Sequence, residues 1–149
     1  MTEGELHQVE EALGHRLPPE FREVMLNFPQ ALIDAATMTD PDGNEFMDCM
    51  LISPNVDALL AAIAHYQSSE SGWPKQYIVV GENGCGEVYS IDTSKGDCPV
   101  FVSGPHNDAG AASPDEEGYF EQVAPGVEQW VRGLVRTADA KTKGVNPIE

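Results

Sequence analysis

The densest glycine cluster in the chain is Gly81-Glu82-Asn83-Gly84-Cys85-Gly86. A phosphate-cradling loop needs backbone N–H groups that open into a helix, usually with a lysine close behind. Here the glycines precede a segment of strand-like alternation, no lysine follows, and Glu82 and Glu87 repel phosphate. The cluster predicts a tight hairpin with positive φ at one or more glycines. Asp40-Pro41-Asp42-Gly43-Asn44 resembles the start of a calcium loop, but an EF-hand needs Gly sixth and Glu twelfth. Those places hold Glu45 and Leu51, so the segment reads as a turn that binds cations weakly at most. Ser103, His106 and Asp108 are the residue types of a hydrolase triad, yet they crowd one short loop and no nucleophile elbow accompanies them. His7, His15, His65 and His106 form no zinc-spaced pair. Cys85 lies between two glycines, but a reactive thiolate wants positive neighbours and this one has Glu82 and Glu87. With 25 acidic residues, no single carboxylate pair is informative. We therefore expect no catalytic residue, no metal site and no cofactor.

These segments must be carried by a set of short elements. Thr2 and Glu5 have capping-box spacing, Leu6, Val9 and Leu13 form one apolar stripe, and Gly14 closes a first helix. Phe21, Val24, Met25 and Phe28 predict a second helix from Pro19 to Phe28, stopped by Pro29. A strand is expected near Ala35–Thr39, the Asp40–Asn44 turn, and a second strand near Phe46–Ile52. Ser53-Pro54 is expected to cap a middle helix that buries Val56, Leu59, Leu60 and Ile63. Tyr77–Val80 reads as a strand covered on both faces, Glu87–Ile91 alternates, and Val100–Val102 is a third strand, giving an antiparallel meander. Tyr119–Val123 fits either a short edge strand or the lead-in to a helix. Val127, Trp130, Val131, Leu134 and Val135 mark the clearest amphipathic helix. The expected fold is α+β: a largely antiparallel, curved sheet packed by two N-terminal helices, a middle helix and a C-terminal helix.

The chain has 149 residues, 8 Lys and Arg against 25 Asp and Glu, and a net charge of −17. Its length predicts one domain over residues 1–149, with a core at about 5–136 and a polar tail at 141–149. A hydrophobic share of 41% supports a packed core rather than a disordered acidic tail. The charge argues against nucleic acid and against an anionic membrane surface, because both need Lys and Arg to replace counterions. It favours a basic partner, although solubility alone accounts for the same composition. Three cysteines without a C-x-x-C pair suggest reduced thiols, and the acidic, polar N-terminus lacks the features of a signal peptide. A cytoplasmic location is expected.

Leu13-Gly14-His15-Arg16-Leu17-Pro18-Pro19-Glu20-Phe21-Arg22 resembles the opening motif of the SUKH superfamily, with Leu17, Pro18 and Phe21 at its centre. Ile78 through Asp92 is similar to the superfamily's apolar strand, glycine-rich turn (Gly81, Gly84, Gly86) and aromatic-bearing strand. The helix around Trp130 sits where members usually end. Asn27-Phe28-Pro29 replaces the usual Asn-Gly, and the tryptophan expected after the third strand is absent. The resemblance spans about Glu5 to Leu134 and implies a non-catalytic protein-binding domain. Bacterial members are commonly immunity proteins that neutralise a nuclease or deaminase toxin, and fungal relatives regulate cell-wall assembly. The leading expectation is thus an immunity protein bound to a basic toxin domain. The alternatives are a cytoplasmic regulatory or scaffold module and, further off, a small carboxylate- or metal-dependent hydrolase. Loop exposure and charge place the partner surface on an acidic rim: Asp40, Asp42, Glu45, Glu82, Asn83, Glu87, Asp108, Asp115 and Glu116.

Overall fold

The structure is a computed structural model that describes residues 1–36, 52–67, 73–82, 86–104, 114 and 116–142. Within them lie five helices and four strands: α1 (Glu3–Leu13), α2 (Pro19–Leu26), α3 (Gln30–Ala36), α4 (Val56–Tyr66), β1 (Tyr77–Glu82), β2 (Val88–Asp92), β3 (Val100–Ser103), β4 (Glu121–Ala124) and α5 (Val127–Thr142). The strands form an open, curved antiparallel sheet in the order β1-β2-β3-β4. This is an α+β fold, as the sequence predicts, with one helix more than expected.

The first two helices follow their local signals. Thr2 Oγ1 accepts from the Glu5 N–H and the Glu5 side chain accepts from the Thr2 N–H, completing the capping box. Gly14 ends α1 at φ +79, a left-handed conformation that costs glycine nothing sterically. The connection to α2 is then clamped by side chains from both helices. Glu10 Oε2 accepts from the Leu17 N–H at 2.7 Å, and Glu10 Oε1 accepts from Arg22 Nη1 at 2.8 Å. Arg22 also pairs with Glu3. Leu17 and Phe21 are buried beside Leu6, Val9 and Met25 in the main core.

Three local expectations are corrected. Helix α2 ends at Leu26, and Pro29 does more than stop it. The Pro29 carbonyl accepts from the Leu32 N–H, starting a new helix whose Leu32 and Ala35 are fully buried one turn apart. Ala35 therefore does not begin a strand; burial of that apolar pair, with α3 packed on α5, outweighs the β-like local composition. The cap of α4 is Asn55, which accepts from the Ala58 N–H, rather than Ser53. The remainder of the first expected strand, the Asp40–Asn44 turn and the second expected strand up to residue 51 lie outside the described residues. Ser53 donates its N–H to the Val80 carbonyl, so the chain just past that region meets the outer edge of β1.

The sheet separates two cores by strand alternation. Ile78, Val80, Ile91 and Val100 face the helices in the main core, where Tyr89 stacks on Trp130 of α5 with ring centres 5.4 Å apart. On the opposite face, Val79, Val88 and Trp73 form a second, aromatic cluster with Tyr66, Tyr77, Tyr119 and Phe120. Coverage on both faces explains the unbroken apolar run of β1. Tyr119–Val123 resolves in favour of the edge strand: β4 begins at Glu121 and pairs only with β3 among the described residues. The C-terminal helix continues through Thr142, past the point where a polar tail is expected.

Candidate functional site

The catalytic possibilities can be followed to their places in the fold. Ser103 is buried on the aromatic face of the sheet, opposite Val88, and its Oγ has no hydrogen-bond partner among the described residues. His106 and Asp108 lie outside the described residues, as do Cys49 and Cys85. Cys98 is buried two residues ahead of β3, and desolvation, reinforced by the nearby Glu20 charge, pushes its thiol up to about 12. At neutral pH it is a protonated, inert thiol. Among the described residues no group of three or more His, Cys, Asp or Glu side chains is placed to hold a metal ion.

One carboxylate cluster does form, and it was invisible in the sequence. Glu20 of α2, Asp97 of the β2–β3 turn and Glu128 of α5 line a small cleft with Arg132. Glu20 Oε2 is buried without a donor among the described residues. Burial first, then the charges of Asp97 and Glu128, raise the Glu20 carboxyl above its ordinary range, with Arg132 opposing them. The backbone ties the turn to α5: the Asp97 carbonyl accepts from the Val127 N–H, and a Cβ on Gly126 would stand 2.9 Å from that carbonyl.

The acidic rim fares differently from residue to residue. Glu82 is exposed at the end of β1, opposite Val88, and Glu87 is half-buried one residue before that partner. The hairpin register brings these two acids to the same end of the sheet. Glu116 is exposed just ahead of Tyr119 and Phe120. Asp40, Asp42, Glu45, Asn83, Asp108 and Asp115 lie outside the described residues. Gly86 carries the expected positive φ, +91, whereas Gly81 sits at a register shift inside β1, and Gly84 lies outside the described residues.

Beside the acidic end of the sheet lies a surface that composition and loop reasoning passed over. Tyr66 and Trp73 pack at 4.8 Å, Trp73 meets Phe120 edge-on at 5.0 Å, and Phe120 contacts Tyr77 at 4.5 Å. The Trp73 Nε1–H and the Gln67 amide both donate to the Tyr77 carbonyl, which fixes the chain around Trp73 on the sheet. Tyr66, Tyr77, Tyr119 and Phe120 are only partly buried. Desolvation raises the phenols of Tyr66, Tyr77 and Tyr119, and Glu82 adds to the effect at Tyr66. Partly buried tyrosines and a tryptophan beside acidic groups have the character of protein-interface hot spots. The available signal was the frequency of aromatic residues from Tyr66 to Tyr77 and at Tyr119-Phe120, but its meaning depends on their meeting in space. Next to this cluster, α4 and β1 enclose a groove of about 530 Å³.

The family model described as SMI1 / KNR4 family (SUKH-1) matches residues 1–133. The chain belongs to this family. No curated protein and no solved structure gives a significant match. Membership supports a protein-binding role for this SUKH-1 chain. The opening motif of the SUKH-1 chain is structural: Gly14 ends α1, Pro18 is the N-cap residue of α2, and Leu17 and Phe21 are core. Trp130 is likewise structural, through its stack on Tyr89. No helix among the described residues is long and apolar enough to cross a membrane.

Proposed function

We propose that this SUKH-1 chain is an immunity-type protein, a single binding domain without catalytic activity that neutralises a cognate toxin by stoichiometric association in the cytoplasm. The observation that carries the reading is the family match over residues 1–133, on a chain with a net charge of −17. A nuclease or deaminase toxin presents a cationic surface to its nucleic-acid substrate. An acidic protein can occupy that surface, and complementary charge accelerates the encounter. The proposed contact surface combines the acidic rim with the partly exposed aromatic cluster. The rim supplies steering, and the aromatic side chains supply buried apolar area.

Co-expression with the toxin encoded beside this gene should rescue growth. The purified complex should associate more slowly as salt rises, because exposed charges are screened beyond ~8 Å at physiological ionic strength. Charge reversal at Asp42 and Glu82 together should slow association further. Absence of binding to any product of the adjacent genes would reject the reading in favour of a regulatory module.

A further inference from the structure

The groove between α4 and β1 has a definite chemistry. Its helix wall is built from Ala58, Ala61 and Ala62, whose small side chains leave open space. Its strand wall is Val79 and Val80, followed by Gly81. Its polar lining residues are Ser53, His65, Tyr66 and Glu82, and the Glu82 charge acts on the Tyr66 phenol. His65 packs edge-on against the Tyr66 ring at 4.7 Å, which restrains that ring at the groove's wall. The Tyr66 hydroxyl stays neutral, since burial and the Glu82 charge both oppose its ionisation. Among the described residues Glu82 makes no ion pair and no lysine or arginine lines the groove. A volume of about 530 Å³ is of ordinary ligand-pocket size.

We propose that this groove docks an arginine side chain of a partner protein, with an apolar neighbour of that arginine lying along the alanine wall. Arginine fits better than lysine because its planar N–H fork can pair with both oxygens of the Glu82 carboxylate, which a lysine ammonium does not match. Its methylene stem, like that of lysine, can lie along the apolar walls. The inference rests on the protein-binding reading above and assigns it an anchor point. The rim acids would then serve the encounter and the groove the bound complex.

The test is a titration of isotope-labelled full-length protein with the peptide acetyl-Leu-Arg-Leu-amide, followed by NMR. The same peptide with citrulline in place of arginine is the control, since it keeps shape and loses charge. The arginine peptide should shift the methyl signals of Ala58 and Ala62 and the amide of Glu82 at millimolar concentration. The citrulline peptide should bind about tenfold more weakly, the loss expected for one charge-assisted contact. Glu82→Gln should give the same loss, Ala62→Leu should fill the groove and abolish the shifts, and Asp139→Asn on α5 should change nothing. Thermal unfolding of each variant separates a blocked groove from a lost fold. Equal binding of the two peptides, shifts confined to other surfaces, or no shift at all would overturn the proposal. Binding of the adjacent-gene toxin is measured in parallel. If the toxin binds the folded Ala62→Leu variant as tightly as the original chain, the groove assignment falls and the immunity reading stands. If the toxin binds neither while the peptide shifts persist, the immunity reading falls and the groove remains.

Discussion

Replacing Glu10 with alanine removes the central group of the α1–α2 clamp. One carboxylate oxygen accepts from the Leu17 N–H at 2.7 Å, and the other holds Arg22 at 2.8 Å. The Glu10 side chain is only 11% exposed and that of Arg22 19%, so water replaces either contact poorly. A hydrogen bond to a charged group contributes about 1.5–3 kcal/mol, and a partly exposed ion pair about 0.2–1 kcal/mol. Arg22 keeps its contact with Glu3, so the lower end applies to the ion pair. The expected loss is about 2–3 kcal/mol, or a fall in Tm of about 4–12 °C for a domain of this size. Glu10→Gln keeps an acceptor for Leu17 and should lose only about 1 kcal/mol. Glu11→Ala, one residue along the exposed face, should stay within about 0.5 kcal/mol.

The clamp also has a pH signature. Burial of Glu10 favours the neutral acid, but the Leu17 N–H and the Arg22 charge together outweigh it and hold the carboxyl below the ordinary 4.5. A depressed folded value means that the contribution is complete above about 4.5 and is lost as pH falls through the folded value. Urea unfolding followed by circular dichroism, at pH 7 and then toward pH ~3, measures both effects. The gap between Glu10→Ala and the original chain should be widest at pH 7 and should narrow on acidification. A gap under about 0.5 kcal/mol at pH 7, or one that does not change with pH, refutes the clamp.

Glu20→Gln should act in the opposite direction. The folded Glu20 carboxyl lies above its ordinary 4.5, so the ionised form opposes folding as pH rises through the folded value. The variant should be more stable than the original chain at pH 7, with the advantage fading below about pH 4.5 in the same unfolding assay. Phe21→Ala empties a fully buried site in the main core and should cost about 3–5 kcal/mol. A measured loss below about 1.5 kcal/mol, the range of volume-conserving swaps, would mean that Phe21 is not the core residue its burial indicates.

Much of the architecture was legible because its causes are local. The Thr2–Glu5 capping box, the left-handed end at Gly14 and the 3.6-residue stripes of α1, α2, α4 and α5 each depend on residues within one or two turns. The β1–β3 meander was legible for the same reason, since short turns join strands that alternate. α3 was missed because Leu32 and Ala35 support a helix only when α5 is present to cover them. The family motif was also readable, and with it the expectation of a protein-binding domain.

The sequence by itself thus determined the fold class, the family motif and the excess of negative charge. Only the tertiary structure decided what those residues touch. It turned the Leu17-Pro18 motif into a charged clamp anchored by Glu10, seven residues before Leu17. It also joined Tyr66, Trp73, Tyr77 and Phe120 into one surface beside Glu82. Caps and stripes arise from neighbours along the chain, whereas a binding surface is made from residues brought together by hydrophobic burial. Their spacing in sequence carries no record of that meeting.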